Sequence, residues 1–486
     1  MRWTGRQVFV LILLSMVTSS LLTFTLITSG QASPTLPATA QATLGGNNQL
    51  PKEISKLNDA YQIVKSKYID QVADDKLIDG AIKGMIGSLD DPYTDYMDPE
   101  SAEQLQSMLN STFQGIGAEV TLKDNRVTVV SPYKGSPAEK AGIRPNDQIL
   151  SVNGESLDGL ELNKAVQKIR GPKGTKAVLK IARPGVAEPL TIVCIRDDIP
   201  IETVYSKVVN KDGKKVGVLE IAQFSSETAA HFSTELKKLE EQGVVGLVVD
   251  VRGNPGGYVE AVKAIGEMLI PNKGVIVRVA YGDKARPEEV IRSTMDKAKP
   301  YPIVVLIDGG SASASEILAG AMRESGGYKL VGEKSFGKGT VQATVEMQDK
   351  SLIKLTIAKW LTPKGTWIHK KGIEPDFTVK EPEYFKVTQL PADQVLKLDM
   401  NSADVKNLQM MLEGLKLGPV RQDGYFDQKT EAAVKTFQTS KKLNPTGQVD
   451  KATAAALQEA ILAVLKDPAN DVQLQKAADV VLQQAK

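Results

Sequence analysis

Residues 215–324 alternate between short, continuous apolar runs and segments with helical periodicity, and no other feature constrains the fold as strongly. The apolar runs are Val216–Ile221, Val244–Val249 and Ile303–Ile307, and the helical segments are Ser226–Gln242, Tyr258–Leu269 and Ser315–Glu324. Strands that are apolar on both faces belong in a parallel sheet covered by helices on both sides. The alternation therefore predicts an α/β core built on a largely parallel sheet.

A smaller β-rich domain is predicted ahead of this core, over residues 113–195. Its short runs of strand-forming residues are separated by Gly, Pro, Asn and Asp. They are Gly117–Leu122, Val127–Ser131, Gln148–Val152, Ala177–Ala182 and Leu190–Ile195. The fold class is therefore multidomain, with α/β and α+β parts.

The first 29 residues are predicted to be a signal peptide or signal anchor. Arg2 and Arg6 precede a long apolar run, and no further charge occurs before Lys52. A basic flank followed by such a run directs the rest of the chain across the cytoplasmic membrane. We expect an extracytoplasmic, cell-envelope protein that is secreted or anchored by this segment, with residues 30–52 as an uncharged linker.

Residues 53–112 show helical periodicity with apolar faces. Two or three amphipathic helices of this kind fit a lid, part of a core, or an arm that forms a homodimer. Periodicity does not choose between these.

The end of the chain is predicted to be an all-α module over residues 400–465, followed by a helical or frayed tail over 466–486. The module contains an internal repeat, because Gly424–Thr430 recurs as Gly447–Thr453, 23 residues later (447 − 424). In each copy the glycine allows a turn and the following aspartate can cap the next helix.

Composition removes several classes of function. The 60 basic and 58 acidic residues give a formal net charge of +2, so the strong positive field of a nucleic-acid-binding protein is missing. Cys194 is the single cysteine, which excludes an internal disulfide and a cysteine-based zinc site. The two histidines, His231 and His369, form no HExxH motif. We therefore expect no metal ion, no cofactor and no nucleic-acid partner.

Asp308–Glu316 reads Asp-Gly-Gly-Ser-Ala-Ser-Ala-Ser-Glu and lies between an apolar strand and an apolar helix. A turn at the carboxyl end of a parallel strand exposes a serine beside helix N–H groups that can stabilise an oxyanion. Ser313 and Glu316 also stand at capping-box spacing, which is a purely structural explanation. On this run alone the structural explanation is favoured.

Gly332–Gln342 places Lys338 between two glycines. The motif fits either a surface turn or one half of a serine–lysine dyad. A lysine acts as general base only when it is neutral, so it must be desolvated, and Gln342 could hold its amine.

Asp250–Gly257 follows another apolar strand and ends in two adjacent glycines. Such a loop can present bare N–H groups as an oxyanion hole. An ordinary βα loop explains the same residues.

The order and mutual spacing of these three motifs resemble those of the C-terminal processing peptidases, also called tail-specific proteases, of family S41. The resemblance implies that Ser313 is the nucleophile and that Lys338, 25 residues on (338 − 313), is the base. It also implies that Gln342 orients the lysine. The resemblance covers about residues 60–385, with the protease core at 196–385.

The same resemblance implies an oxyanion hole made by the backbone N–H groups of Ala314 and Gly257, with Gly256 as the alternative. His369 falls in the closing motif of the family and is expected to be structural. Asp308 departs from the family pattern, in which asparagine is expected, and a carboxylate is tolerated there if it points away from the lysine.

Residues 113–195 resemble a PDZ domain, in which a peptide adds to a sheet edge and its terminal carboxylate meets loop N–H groups. Phe113–Ala118 is similar to the carboxylate-binding loop of such domains. The implied peptide-binding residues are Gly115, Ile116, Gly117 and Ala118. We further hypothesise that Arg170 contacts the protease body and helps to switch between resting and active states.

Residues 400–465 resemble a three-helix peptidoglycan-binding module, although an interaction or dimerisation module explains the same pattern. Together the resemblances imply a cell-envelope serine endopeptidase. It would recognise the free carboxyl termini of protein substrates and contact peptidoglycan. The alternatives are a catalytically silent PDZ scaffold bound to the wall and a serine esterase or amidase, and the missing GxSxG motif disfavours the esterase.

Overall fold

The structure, a computed structural model, describes residues 52–485 apart from 111, 124, 134, 185, 284, 392–393 and 419–420. The predicted signal segment and nearly all of the predicted linker lie outside the described residues. Across the described ranges, no helix combines the length and the apolar character needed to cross a membrane.

The chain divides into two compact units, Met1–Ala81 and Ile82–Lys486. The first unit contains helix α1 and the beginning of helix α2. Asp74 links them, because it pairs with Lys65 Nζ at 2.6 Å and accepts a hydrogen bond from Tyr61 Oη at 2.7 Å. Several apolar side chains of this unit remain exposed, namely Ile54, Leu57, Ile63, Val64, Tyr68, Ile69 and Ile78.

The helices are α1 (Lys52–Lys67), α2 (Asp74–Gly87), α3 (Pro99–Leu109), α4 (Pro137–Lys140), α5 (Leu162–Ile169), α6 (Thr228–Glu241), α7 (Val259–Leu269), α8 (Ala314–Glu324), α9 (Ala403–Gly414), α10 (Gln428–Ser440), α11 (Lys451–Lys466) and α12 (Val472–Gln484). Short 3₁₀ helices span Glu383–Lys386 and Pro468–Asn470.

The strands are β1 (Asp95–Met97), β2 (Thr112–Gly115), β3 (Ala118–Lys123), β4 (Arg126–Pro132), β5 (Gln148–Val152), β6 (Glu155–Ser156), β7 (Lys176–Ala182), β8 (Leu190–Ile195), β9 (Asp197–Pro200), β10 (Val204–Lys211), β11 (Lys214–Ile221), β12 (Gly246–Asp250), β13 (Val275–Tyr281), β14 (Glu289–Arg292), β15 (Ile303–Ile307), β16 (Lys329–Gly332), β17 (Thr340–Glu346), β18 (Leu352–Leu361) and β19 (Phe377–Thr378).

The predicted parallel sheet is confirmed. Its strand order is β10-β11-β12-β15-β16-β19, and β10 is its only antiparallel member among the described residues. Alternate residues of β12 and β15 enter two different apolar clusters on the two faces. Helices α6, α7 and α8 cover one face. Strands that are apolar on both faces need a cover on the other side as well.

Helix α12 covers the other face of this sheet. The chain leaves the sheet at β19, forms the module α9–α11, and returns so that Leu474, Ala478 and Val481 pack on β11, β12 and β15. A side chain at Gly246 would lie 2.2 Å from Val481 Cγ1, so the helix touches the strand backbone. The predicted tail is therefore part of the protease core.

An ion pair holds the start of α12 to the end of β12. The Arg252 guanidinium contacts both carboxylate oxygens of Asp471, at 2.7 and 3.0 Å, while Asp471 caps α12 through Leu474 N–H at 2.8 Å. Burial alone would raise the pKa of Asp471, but the hydrogen bonds and charge of Arg252 outweigh it and hold that pKa below its usual value. The pair fixes the entrance to the Asp250–Gly257 loop.

A second, antiparallel sheet was not predicted. Its order is β1-β18-β13-β14, and β17 also pairs with β18. Strand β17 begins at Thr340, two residues after Lys338, and β1 pairs with Leu352–Lys354. The sheet therefore brings the segment around residue 93 toward the lysine motif.

The predicted β-rich domain contains the sheet β3-β4-β5-β7-β8, with β6 paired to β5. The antiparallel pair β2–β9 forms its entry and exit. Cys194 is buried in its core, and burial raises the pKa of this thiol to about 11, so it remains protonated.

The repeat in the C-terminal module has the predicted caps. Thr430 N–H donates to Asp427 and Thr453 N–H donates to Asp450, each at 2.8 Å. A buried glutamine precedes each turn, and Gly447 N–H donates to Gln438 Oε1 at 2.9 Å in the second copy. These buried amides tie each helix to the next turn.

Leu474→Ala tests whether α12 belongs to the core. Leu474 is fully buried on the sheet, so the change should lower the free energy of unfolding by about 2–5 kcal/mol. Urea denaturation followed by tryptophan fluorescence measures this. Leu462→Ala is the matched control, because Leu462 is 42% exposed and its loss should cost roughly 0.5 kcal/mol or less. Equal destabilisation by both changes would contradict the packing of α12.

Candidate active site

Ser313 lies at the turn between β15 and α8, at the carboxyl end of a central strand of the parallel sheet. It is the N-cap residue of α8 and has φ 54° and ψ −112°. This backbone conformation is strained for a residue with a side chain. Strain of this kind persists only where the surrounding structure enforces it, and it concentrates at functional sites.

The buried carboxylate of Glu316 enforces this turn. It accepts hydrogen bonds from Ser313 N–H at 3.0 Å and from Lys338 N–H at 2.8 Å. It also accepts from Ser335 Oγ at 2.6 Å and from Gly337 N–H at 2.7 Å. One side chain therefore joins the serine motif to the lysine motif. Capping-box spacing revealed only the bond to Ser313 and missed the others.

Asp308 joins the serine motif to the third motif. Its Oδ1 atom accepts hydrogen bonds from the N–H groups of Gly253, Gly310 and Ser311 at 2.8, 2.9 and 3.0 Å. The carboxylate thus holds two loops together, and the oxygen it uses is one that an asparagine would also offer. This explains how the departure from the family pattern is accommodated.

Two backbone N–H groups near Ser313 are free to bind an oxyanion. Neither Gly257 N–H nor Ala314 N–H donates to any acceptor in the part of the chain that the structure describes. Gly256 N–H is occupied, because it donates to Asn254 Oδ1 at 2.9 Å. Of the two candidate glycines, Gly257 therefore has the available donor.

Both glycines need their lack of a side chain. A Cβ on Gly256 would lie 2.9 Å from Ser313 Cβ and 3.0 Å from Ala314 N, and one on Gly257 would lie 1.8 Å from Phe224 O. The loop therefore presses its backbone against the serine turn, which side chains would prevent.

Lys338 is half-buried beside these loops. Burial lowers its pKa from the usual lysine value, and the nearby charge of Lys354 lowers it further, while Glu316 and Asp91 oppose this. Trp360 Nε1–H donates to the Lys338 carbonyl at 2.8 Å and fixes its backbone. The Lys338 Nζ atom lies 5.1 Å from the centre of the Tyr93 ring. Over the described ranges it makes no hydrogen bond or ion pair.

Gln342 makes no hydrogen bond to Lys338 among the residues that the structure describes. Its Nε2 donates to Thr340 Oγ1 at 2.8 Å and to Thr356 Oγ1 at 3.5 Å. The structure thus joins the backbones of Ser313 and Lys338 through Glu316 and places Gln342 on β17 of the antiparallel sheet, and no hydrogen bond among the described residues connects the three side chains.

His369 lies next to the lysine loop. Its Nδ1 accepts a hydrogen bond from Gly339 N–H at 3.3 Å, and its ring stacks on Trp367 at 5.2 Å. Burial lowers the pKa of His369, and the hydrogen bond that Nδ1 accepts also favours the neutral ring. These contacts fit the expected structural role of His369.

The predicted peptide-binding loop connects β2 to β3. The N–H groups of Ile116 and Gly117 have no acceptor within the described residues. Gly117 has φ 74°, and a side chain there would lie 2.5 Å from Ser136 Cβ. Gly115 ends β2 and Ala118 begins β3. The sheet edge at β3 lies beside α5.

Arg170 directly follows α5. Its guanidinium lies 4.8 Å from the centre of the Phe113 ring, which belongs to the entry strand β2. Both residues line a cavity of about 800 Å³ between α3, β2 and α5. The contact that the structure gives Arg170 is therefore with the entry strand of its own domain.

Four parts of the sequence match known families. Residues 215–379 match "Peptidase family S41", and residues 128–183 match "PDZ domain". Residues 401–457 match "Putative peptidoglycan binding domain", and residues 16–101 match "Activating protease CtpB N-terminal domain".

Similar proteins cover most of the chain. The carboxy-terminal processing protease CtpB of Bacillus subtilis is 48% identical over 444 residues, which are 91% of each chain. The carboxy-terminal processing protease CtpA of the same organism is 44% identical over 88% of this chain and 90% of that protein. Among solved structures, the photosystem II D1 C-terminal processing protease is 29% identical, with a TM-score of 0.41 over 68% of this chain and 94% of that one.

Glu316→Gln tests the role of the buried carboxylate. Glutamine offers one acceptor oxygen, and its NH₂ group would face N–H donors, so the free energy of unfolding should fall by about 2–4 kcal/mol. Thermal and urea denaturation measure the change. The control is Glu260→Gln on exposed α7 surface, which should be nearly neutral. Glu316→Gln with wild-type stability would show that the four bonds are not important.

Proposed function

The chain belongs to the carboxy-terminal processing proteases of peptidase family S41, which makes it a serine endopeptidase with a PDZ domain, and from this premise we propose that Ser313 and Lys338 form its catalytic dyad. Gln342 orients the lysine, and the N–H groups of Ala314 and Gly257 stabilise the oxyanion. The arrangement of the Glu316 carboxylate, bonded to the backbone of both Ser313 and Lys338, is the observation that carries the proposal.

The proposed reaction has two halves. Lys338, when neutral, accepts the hydroxyl proton of Ser313 as the oxygen attacks the substrate carbonyl carbon. The oxyanion of the tetrahedral intermediate accepts hydrogen bonds from Ala314 N–H and Gly257 N–H. The protonated lysine then donates its proton to the leaving amine, which leaves an acyl-enzyme on Ser313. Water, deprotonated by Lys338, hydrolyses this ester.

The free N–H groups and the desolvated lysine support these roles. Buried backbone N–H groups normally have a hydrogen-bond acceptor. The N–H groups of Gly257 and Ala314 have none within the described residues, so they are available to an oxyanion. The lowered pKa of Lys338 makes the neutral amine available at a lower pH than for an exposed lysine. Reaction requires Gln342 to exchange its bond with Thr340 for one with Lys338.

Ser313→Ala and Lys338→Ala should each abolish cleavage and leave folding intact, because each removes one half of the proton transfer. Cleavage of fluorescein-labelled β-casein by the full chain in detergent measures this. The wild-type rate should rise from neutral toward alkaline pH, since only unprotonated Lys338 accepts the proton, and should level off above the lowered lysine pKa.

Lys364→Ala is the matched control, because Lys364 is exposed, and it should retain wild-type cleavage. Cleavage that survives in both dyad variants would place the active site elsewhere. A wild type that is silent toward casein, with and without added carboxyl-terminal peptide, would favour the scaffold alternative.

We also propose that substrates are captured by their carboxyl termini. The peptide would add to the β3 edge beside α5, with its carboxylate on the N–H groups of Ile116 and Gly117. Arg170 packs on Phe113 at the entry strand. Through this contact it would couple peptide binding in the PDZ domain to the state of the protease body. If Arg170→Ala changed neither basal nor peptide-stimulated cleavage, that role would be lost.

A free terminal carboxylate should therefore matter to the rate. Two unstructured substrates of the same sequence, one ending in a carboxylate and one in an amide, should differ in kcat/KM by roughly tenfold or more, since the amide loses a charge-assisted hydrogen bond. Initial rates with the full chain give the ratio. Equal values would contradict recognition of carboxyl termini.

We also propose that the protein lies in the cell envelope, contacts peptidoglycan and forms a homodimer. The match to a peptidoglycan-binding domain at 401–457 supports a place in the cell envelope and contact with the wall, while the exposed apolar side chains of α1 support a homodimer through the N-terminal helices. Co-sedimentation with purified peptidoglycan and analytical ultracentrifugation test these two points. No pelleting and a monomeric mass would exclude them.

A further inference from the structure

The segment just before β1 forms part of the lysine environment, although no motif pointed to it. Asp91 Oδ1 accepts a hydrogen bond from Tyr93 N–H at 3.1 Å, and Asp91 Oδ2 accepts one from Thr94 Oγ1 at 2.7 Å. Thr94 Oγ1 in turn accepts from Thr356 N–H on β18 at 3.0 Å. The turn is therefore fixed to the strand that pairs with β17.

This turn positions the Tyr93 ring close to the lysine and to a pair of stacked rings. Lys338 Nζ lies 5.1 Å from the ring centre. His369 contacts the ring edge-on at 6.0 Å and 70°, and His369 is itself stacked on Trp367. The ring thus has an aromatic neighbour, and the lysine amine is within the range of a cation–π contact.

A cation–π contact favours the protonated lysine over the neutral one, because the ring quadrupole attracts only the charged form. The proposed reaction needs the neutral form. In the same structure Gln342 is bonded to Thr340 instead of Lys338. These are two separate signs that the lysine occupies a resting position.

We propose that Tyr93 is a positioning residue that holds Lys338 over its ring in a resting, protonated state, and that Lys338 leaves this ring before it accepts the proton of Ser313. The inference rests on the proposed role of Lys338 as the base. Tyr93 takes no part in the proton transfer and acts through the lysine.

Other charged groups also face Lys338, and they stay in place when the ring is changed. Asp91, from the turn, and Glu316, from α8, favour the ammonium form, while Lys354, from β18, opposes it. His369 lies next to the ring, and burial lowers its pKa, which favours its neutral form. A change confined to the ring therefore isolates the effect of the π face on the protonation of Lys338.

The experiment compares the pH dependence of kcat/KM for β-casein cleavage in full-length wild type, Tyr93→Leu and Tyr93→Phe. Leucine keeps an apolar wall but removes the π face, so the acid limb should shift to lower pH by about one unit. The rate at the acid end should then rise by about tenfold, with KM little changed. Tyr93→Phe keeps the π face and should match wild type.

Tyr425→Leu is the matched control. Tyr425 lies in the C-terminal module, where Arg421 sits 5.2 Å from its ring centre. Removing this second cation–π pair should leave the acid limb unchanged. If Tyr93→Leu does not fold, Tyr93→pentafluorophenylalanine keeps the ring shape but reverses its quadrupole, and it should shift the limb in the same direction.

A wild-type profile in a folded Tyr93→Leu variant would overturn the inference, and so would a shift to higher pH or a loss of cleavage. The dyad itself is judged separately. Cleavage by Lys338→Ala would remove the premise, whereas an inactive Lys338→Ala beside an unshifted Tyr93→Leu would remove only the role of Tyr93.

Discussion

The Glu316 carboxylate is the interaction on which the active site depends. It takes hydrogen bonds from the N–H groups of Ser313, Gly337 and Lys338 and from the Ser335 hydroxyl. A buried charge is costly unless it is fully hydrogen-bonded, and four donors satisfy that condition. Its Oε2 atom accepts from both Ser313 N–H and Lys338 N–H, while Oε1 holds the rest of the lysine motif, so the charge that needs these donors also sets the spacing between serine and lysine. The strained turn at Ser313 persists on this support.

The frame around this carboxylate comes from distant parts of the chain. The parallel sheet supplies the carboxyl ends of β12 and β15, where the oxyanion loop and the serine turn begin. The antiparallel sheet supplies the strand after the lysine and the turn that carries Tyr93. Helix α12 closes the free face of the parallel sheet, although more than ninety residues (472 − 378 = 94) separate it from β19. The peptidoglycan-binding-like module is thus attached to the protease core at both of its ends.

Local pattern was enough to predict the parallel core. The strand at Ile303–Ile307 and the helix beginning near Ser315 were expected from continuous apolarity and a 3.6-residue period, and the structure has them. The second sheet escaped prediction because β1 and β14 are short, β17 and β18 are half-exposed, and the pairings β1–β18 and β13–β18 join distant parts of the chain. Sequence predicts the final segment only as helical or frayed, because its apolar face cannot be assigned until the uncovered side of the sheet is known.

The sequence predicts which side chains belong to the candidate site, but not the hydrogen bonds that connect them. Motif spacing drew attention to Ser313, Lys338 and Gln342, yet a hydrogen-bond partner 22 residues away (338 − 316), such as Glu316 for the lysine backbone, has no periodic signal. Tyr93 lies 245 residues before Lys338 (338 − 93), and only the pairing of β1 with β18 brings them together.

The most direct test of the proposed Ser313–Lys338 dyad is to trap the acyl-enzyme. Substrate would be mixed with the full-length protein, quenched with acid within milliseconds, and the modified residue located by mass spectrometry. A Ser313–Lys338 dyad predicts an acyl group on Ser313 in the wild type and none in Lys338→Ala. An acyl group on another residue, or equal acylation of Ser313 without Lys338, would contradict it.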